Sequence, residues 1–195
     1  MALPIEDYGI IGDCQTAALV GRDGSIDWLC LPRFDSAACL AALLGDPQNG
    51  RWVLQPKSKV IHCKRRYQGN TLIIETEFQT DSGVVAIIDF MPIREQTPDL
   101  VRIVEGRSGV VDMRMELVIR FDYGSTVPWV QHVEHGISAI AGPDALRLCC
   151  PVKLHGENFT TVAEFSVTAG DRIPFALTYY RSFESPPDEI DPVEA

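Results

Sequence analysis

The chain has 195 residues, 46% of them hydrophobic, and its seventeen basic and twenty-seven acidic side chains give a formal net charge of −10. This composition predicts a globular protein, and the negative charge argues against nucleic acid or an anionic membrane surface as a partner. No apolar stretch approaches the roughly 18 residues of a membrane span. The amino terminus shows no basic region followed by an apolar run, so we expect a cytoplasmic protein.

A hairpin and a helix are predicted first along the chain. Residues 17–20 and 26–31 flank Arg22-Asp23-Gly24-Ser25, a turn sequence typical of a β-hairpin. Residues 37–44 follow as the one predicted helix, which Asp35 and Ser36 would cap and Gly45 would end.

Two-residue alternation, which a sheet with one buried face requires, dominates the rest of the chain. Residues 113–121 are apolar at every odd position and charged at three of the four even positions. A second hairpin is predicted around Asp81-Ser82-Gly83, between residues 75–79 and 84–90. Further apolar stripes lie at Leu72, Ile74, Thr76 and Phe78, at Phe159, Thr161, Ala163, Phe165 and Val167, and at Ile173, Phe175, Leu177 and Tyr179, with reversals at residues 134–136, 142–144 and 169–171.

The predicted fold class is all-β. About a dozen short strands with one short helix favour a large antiparallel β-sandwich over residues 1–184. From Ser185 the composition changes to proline and acid without a strand pattern. Residues 185–195 are therefore interpreted as an interdomain linker, although a disordered terminus has the same composition.

The six cysteines lack the context of a disulfide framework, because the chain is long and shows no signal peptide. We expect buried thiols. Neither the cysteines nor the four histidines have the spacing of a zinc site; His132 and His135 are three residues apart, but their segment has the pattern of strand and turn. The sequence thus predicts no metal and no cofactor.

Six segments resemble, in order, the beginning of bacterial glycoside hydrolase family 15 proteins, which include trehalases and glucoamylase-like enzymes. They extend through most of the chain: residues 5–36, Ala41-Ala42-Leu43-Leu44-Gly45, Gly50-Arg51-Trp52, Tyr67-Gln68-Gly69-Asn70-Thr71-Leu72, Asp89-Phe90-Met91-Pro92 and Arg120-Phe121-Asp122-Tyr123-Gly124.

The resemblance implies an amino-terminal super-sandwich followed by an (α/α) barrel of paired helices, whose two glutamates cleave α-glucosidic bonds by inverting hydrolysis. Nothing in this sequence matches the motifs of that helical domain, so no catalytic residue is carried over. We expect a non-catalytic domain that ends before its absent carboxy-terminal catalytic partner, and that supports and docks it. Trehalose or an α-linked gluco-oligosaccharide would be the substrate of the complete enzyme.

Two loops carry candidate functional residues. Trp28, Arg33 and Asp35 combine a ring that can stack on a sugar with groups that can bind hydroxyls, so they are predicted to border the glucoside site of the complete protein. The alternative is that Trp28 is a core residue and Arg33 pairs locally with Asp35. Tyr123 and Trp129 follow the alternating strand pattern of residues 113–121 and are predicted at the domain interface, or else as a carbohydrate platform.

Two other functions stay open at this stage. The chain would instead be a stand-alone carbohydrate-binding β-sandwich if it bound glycans by itself. It would be a self-contained enzyme if two of its twenty-seven acids formed an inverting pair. An exposed docking face would also favour self-association of the isolated domain.

Overall fold

The computed structural model describes residues 2–188 and 190–192, and antiparallel β-structure dominates them, which confirms the predicted all-β sandwich. Within these residues, no helix is both long and apolar enough to cross a bilayer. The fifteen strands described are β1 (Tyr8–Gly12), β2 (Ala17–Gly21), β3 (Ser25–Cys30), β4 (Ala38–Leu40), β5 (Arg51–Pro56), β6 (His62–Tyr67), β7 (Ile74–Gln79), β8 (Gly83–Phe90), β9 (Asp99–Val118), β10 (Trp129–Val133), β11 (Gly136–Ala141), β12 (Asp144–Cys149), β13 (His155–Glu157), β14 (Thr160–Thr168) and β15 (Arg172–Arg181). Short 3₁₀ turns occupy Ile5–Asp7, Ala42–Leu44, Pro47–Asn49 and Asp122–Gly124.

The strands form two sheets that share β9. The first sheet has the order β1-β2-β3-β5-β9-β14-β13, with β4 paired to β3. The second has the order β6-β7-β8-β9-β15-β12-β11-β10. Consequently β13 is the last strand of the first sheet and β10 is the last strand of the second sheet. Both lie on the same side of the shared strand β9.

Strand β9 passes from one sheet to the other near its middle. Its first half pairs with β8 and β15, and from Val110 onward it pairs with β14. Gly109 marks the transition with a φ of +65°, a conformation that side chains disfavour. At Gly106 a Cβ atom would collide with the carbonyl of Thr168. Glycine at these positions thus permits one strand to build both layers, as strands do at sandwich corners.

The core lies between the two sheets and contains a buried charge. The ring of Trp52 packs edge-on against Phe175, with centroids 6.5 Å apart. Arg102 is fully buried and donates from Nε to Asp89 Oδ1 at 2.7 Å. Its other nitrogens donate to the carbonyls of Trp52 at 3.1 Å and Gly24 at 2.8 Å. This arginine therefore links the second sheet to the first through the core.

The predicted helix over residues 37–44 is wrong. Ala38–Leu40 is the strand β4, which pairs with β3, and the segment turns in 3₁₀ form only at Ala42–Leu44. Asp35 and Ser36 act within the preceding loop, where Ser36 Oγ accepts a hydrogen bond from the Arg33 amide. Sheet pairing of three buried residues thus overrides the helical pattern of an alanine- and leucine-rich segment.

Most turn predictions are confirmed. Residues 22–24 connect β2 to β3, and residues 80–82 connect β7 to β8. The three later reversals connect β10 to β11, β11 to β12 and β14 to β15. Phe159 is an exception: it was predicted to lie on the buried stripe of a strand, but it is a highly exposed turn residue. The register pairs Glu157 with Thr160, so Asn158 and Phe159 form a two-residue hairpin loop.

The expectation of buried thiols is correct for only part of the set. Cys30, Cys39 and Cys150 are buried, and burial raises the pKa of the Cys150 thiol to about 11. Cys14 is exposed instead, at a turn position with a φ of +69°.

The tail after β15 lies against the outer face of the second sheet. Ile190 packs on a small apolar cluster of Ile88, Phe90, Val101 and Ile103, which alternates along the strands with residues of the main core. The Pro187 carbonyl accepts a hydrogen bond from Arg147 at 3.4 Å. Residues 189 and 193–195 of the predicted linker lie outside the described part of the chain, and the linker role stays a prediction.

Candidate functional site

An apolar cleft opens between the two edge strands β10 and β13. Its volume is about 290 Å³. Trp129 and Val130 form the β10 side, and Phe159 lies on the β13–β14 side. The remaining lining comes from Leu117, Ile119, Arg120, Val127, Pro128, Gly156, Thr160 and Thr161. Because Leu117 and Ile119 belong to the buried core, the cleft connects the interior of the sandwich to the surface.

Large apolar side chains around this cleft are exposed. Trp129 is 77% exposed and Phe159 is 82% exposed. Val127 and Val130 are also exposed. Single exposed apolar residues are ordinary, but several around one cleft are typical of a binding surface.

Two exposed aromatic residues near the cleft have an unusual backbone conformation. Phe159 has a φ of +61° and Tyr123 a φ of +56°, in the left-handed region that bulky residues rarely adopt. Such positions cost on the order of 1–2 kcal/mol for an ordinary L-residue. The Phe159 ring, which is 82% exposed, is therefore a candidate for a contact outside this chain.

Tyr123, one of the predicted interface residues, contacts Trp28 from the other predicted group. Their ring centroids are 6.2 Å apart. Trp28 is half-buried and packs on Cys30, Ala38 and Ala41, so it is neither a pure core residue nor a free platform. The segment between β9 and β10 contains Tyr123 and leads directly to Trp129, the first residue of β10, so it connects the aromatic pair to the cleft.

Arg33 and Asp35 form an exposed local ion pair. Arg33 Nε lies 3.0 Å from Asp35 Oδ1, and both side chains are largely in solvent. This is the local pairing that sequence reasoning gave as the alternative to a sugar-binding role. An exposed pair of this kind contributes little stability, and both groups are accessible to a ligand.

Arg120 at the cleft was not predicted as a site residue. It is 6% exposed, and its Nη1 donates to the Ile119 carbonyl at 2.7 Å and to the Phe159 carbonyl at 3.4 Å. Burial lowers the pKa of this guanidinium. The sequence placed Arg120 on the polar side of an alternating strand, and only the geometry reveals that it is buried.

The aspartates concentrated near the amino terminus have structural partners. Asp13 is held by Arg94 at 2.7 Å, and Arg51 binds both Asp23 and Asp27. The second oxygen of Asp27 accepts from the Tyr8 hydroxyl at 2.6 Å, and burial together with this bond raises the pKa of Tyr8 to about 12. No group of three or more potential metal ligands forms among the described side chains. These carboxylates stabilise loops and strands.

The fold and the cleft together define an antiparallel β-sandwich domain with an exposed apolar surface at one edge. Residues 1–174 match the family described as "Trehalase-like, N-terminal", and the chain belongs to that family.

The chain is also similar to proteins named trehalase. It is 31% identical to the trehalase of Mycolicibacterium smegmatis over an alignment of 203 positions, which covers 90% of this chain and 30% of that protein. It is 31% identical to the trehalase of Mycobacterium tuberculosis, with 96% of this chain and 31% of the relative covered. A trehalase of Thermoplasma volcanium is 31% identical over 68% of this chain and 22% of its own length. The chain thus spans less than a third of the length of these relatives.

Proposed function

We propose that this chain is the non-catalytic amino-terminal domain of a longer glucoside hydrolase of the glycoside hydrolase family 15 type. Family membership and the greater length of the related trehalases support this proposal. In the complete protein, a helical catalytic domain would hydrolyse an α-glucosidic bond with inversion, and trehalose is the first candidate substrate.

The single observation that carries the docking role is the exposed cleft between β10 and β13. A well-packed monomeric sandwich would bury Trp129 and Phe159 or replace them with polar residues. Interface cores are enriched in aromatic side chains, because these bury a large area at a small entropic cost. The catalytic domain is the expected occupant, since it is joined to the same polypeptide.

The pair of Trp28 and Tyr123, with Arg33 and Asp35 nearby in sequence, supports a second part of the proposal. We infer that this loop region borders the substrate pocket once the domains are docked. The half-exposed ring of Trp28 would contact a sugar face, and the exposed ion pair would bind hydroxyl groups.

Calorimetry on the complete polypeptide tests the docking role. Docked domains unfold in a coupled transition, whereas the double variant Trp129→Ala and Phe159→Ala should unfold in two separate steps. A double variant of the exposed pair, Arg33→Gln and Asp35→Asn, is the matched control and should keep the coupled transition. Identical thermograms for the cleft variant and the wild type would refute docking through the cleft.

A stand-alone carbohydrate-binding sandwich is the second candidate, favoured by the exposed ring of Trp129. Calorimetric titration of the 195-residue chain with trehalose and with maltooligosaccharides separates the two functions. The docking role predicts no measurable heat from the isolated chain. Saturable binding that is lost in Trp129→Ala would favour the carbohydrate-binding module.

A further inference from the structure

Arg120 differs from the other buried arginines in its electrostatic environment. Arg102 pairs with Asp89 at 2.7 Å, and Arg94 pairs with Asp13 at 2.7 Å. Arg120 is buried to a similar degree, yet the acceptors found for it within residues 2–188 and 190–192 are two backbone carbonyls. Burial of a cation is costly unless an anion accompanies it.

The acidic residues nearest in sequence have other partners. Asp122 accepts a hydrogen bond from Ser125 Oγ at 3.1 Å. Glu157, on the strand beside the cleft, binds His155 at 2.9 Å and Arg114 at 3.3 Å. The part of the chain described here therefore provides no counter-ion for Arg120.

We propose that Arg120 is the anchor for a carboxylate that the catalytic domain inserts into the cleft between Trp129 and Phe159. This inference rests on the proposed function, because the carboxylate belongs to the part of the polypeptide beyond this chain. A guanidinium presents paired N–H groups that match a carboxylate, so an aspartate or glutamate is the fitting partner.

The surroundings of Arg120 favour a protein carboxylate over a free anion. Apolar residues line most of the cleft, including Val127, Trp129 and Phe159. An acidic side chain flanked by apolar neighbours would fill the cleft and exclude water from the new ion pair. Exclusion of water strengthens the attraction between the two charges. The occupant is thus a segment in which an acidic residue stands among aliphatic or aromatic ones.

The first test uses the 195-residue chain. In the 195-residue chain, Arg120 is a buried cation with no anion among the described residues, so Arg120→Met should leave the urea midpoint of unfolding unchanged or raise it. A purely structural role, in which the guanidinium holds the Phe159 carbonyl, instead requires a lower midpoint. A clear decrease in this variant would therefore overturn the proposal.

The second test uses the complete polypeptide and hydrogen exchange of the amides in residues 127–133 and 156–161. In the wild type these amides should exchange more slowly than in the 195-residue chain. Arg120→Met should accelerate their exchange at least about tenfold, since loss of one partner from a buried pair is costly. Arg120→Lys keeps the positive charge but loses the paired N–H donors of the planar guanidinium. It should therefore accelerate exchange less than Arg120→Met does.

The outcomes distinguish this inference from the docking role. If Trp129→Ala accelerates exchange and Arg120→Met does not, docking stands and the carboxylate is refuted. If the wild-type cleft exchanges equally in both polypeptides, docking and the carboxylate are both refuted. If the isolated chain binds inorganic phosphate and Arg120→Met abolishes this binding, the cleft is an anion site and the proposal is overturned. If the isolated chain forms a dimer that Arg120→Met abolishes, the cleft is a self-association surface and the proposal is likewise overturned.

Discussion

Arg102 and Asp89 form a fully buried ion pair at the centre of the sandwich. The guanidinium donates to the carbonyls of Trp52 in β5 and of Gly24 in the turn between β2 and β3, while its carboxylate partner comes from β8 of the second sheet. It also lies over the Trp52 ring, 5.1 Å from the centroid. Because the pair is buried, removal of either charge would leave the other one unpaired in the core.

Asp89→Asn should therefore lower the free energy of unfolding by about 3–5 kcal/mol, the usual cost of breaking a buried pair. Urea denaturation of the isolated chain measures this loss. Asp35→Asn, which breaks an exposed pair, should cost less than about 1 kcal/mol. Equal losses in the two variants would show that Arg102 finds another anion or water.

Asp99 gives the chain a specific pH dependence. Burial raises its pKa, an effect opposed by the hydrogen bond from Thr178 and by the charge of Arg94, while Asp13 adds to the increase. An aspartate with a raised pKa binds its proton more tightly in the folded state. Its contribution to stability is thus complete below the ordinary value near 4 and is lost as pH rises through the raised pKa.

Asp99→Asn should gain stability relative to the wild type as pH increases from about 4 to 7. Asparagine keeps an oxygen that can accept from Thr178, so the comparison isolates the charge. Urea unfolding of both proteins at several pH values measures the difference. A difference independent of pH would mean that Asp99 titrates normally in the folded chain.

At the scale of elements, the β13–β14 hairpin combines an unfavourable turn residue with the cleft. Asn158 and Phe159 both have positive φ, which suits asparagine and glycine but not phenylalanine. Phe159→Gly would give this turn the preferred asparagine–glycine sequence and remove a side chain that is mostly in solvent.

The isolated chain carrying Phe159→Gly should be more stable by about 0.5–1 kcal/mol, because the backbone strain is relieved. The same variant should weaken domain docking in the complete polypeptide. Chemical denaturation of the short chain tests the first effect. A loss of stability there would mean that the ring packs more tightly than its exposure indicates.

The corner of β9 makes a separate prediction about glycine. Gly109→Ala places a side chain at a φ of +65°, close to the Ser82 carbonyl, and should destabilise the chain by more than about 2 kcal/mol. Gly156→Ala is the matched control in β13, where a Cβ has open space. Thermal unfolding measures both, and similar melting temperatures would contradict the role of Gly109 at the corner.

Sequence reasoning predicted the strands with clear alternation and the hairpins with turn residues, because those signals are local. It did not predict the first half of β9, because this part of the strand is buried on both faces and its apolar residues do not alternate with polar ones. It predicted a helix where pairing of Ala38–Leu40 with β3 decides the structure. The candidate site was found only in part: Trp129 and Tyr123 follow from aromatic loop composition, whereas the burial of Arg120 depends on non-local packing.

At the scale of the whole molecule, the sandwich is closed on its core but has an apolar opening at the β10–β13 edge. Asp13 and Asp27 near the amino terminus form ion pairs with Arg94 and Arg51, and these pairs stabilise the structure. This arrangement is consistent with the proposed division of roles, in which the catalytic domain hydrolyses the substrate and this domain supports the catalytic domain.

Trehalose hydrolysis, measured as glucose release, tests this division most directly. The complete polypeptide should release glucose, and the 195-residue chain should release none at the same molar concentration. Glucose release by the short chain, abolished by substitution of one of its own aspartates or glutamates, would contradict the account and identify this domain as an enzyme in itself.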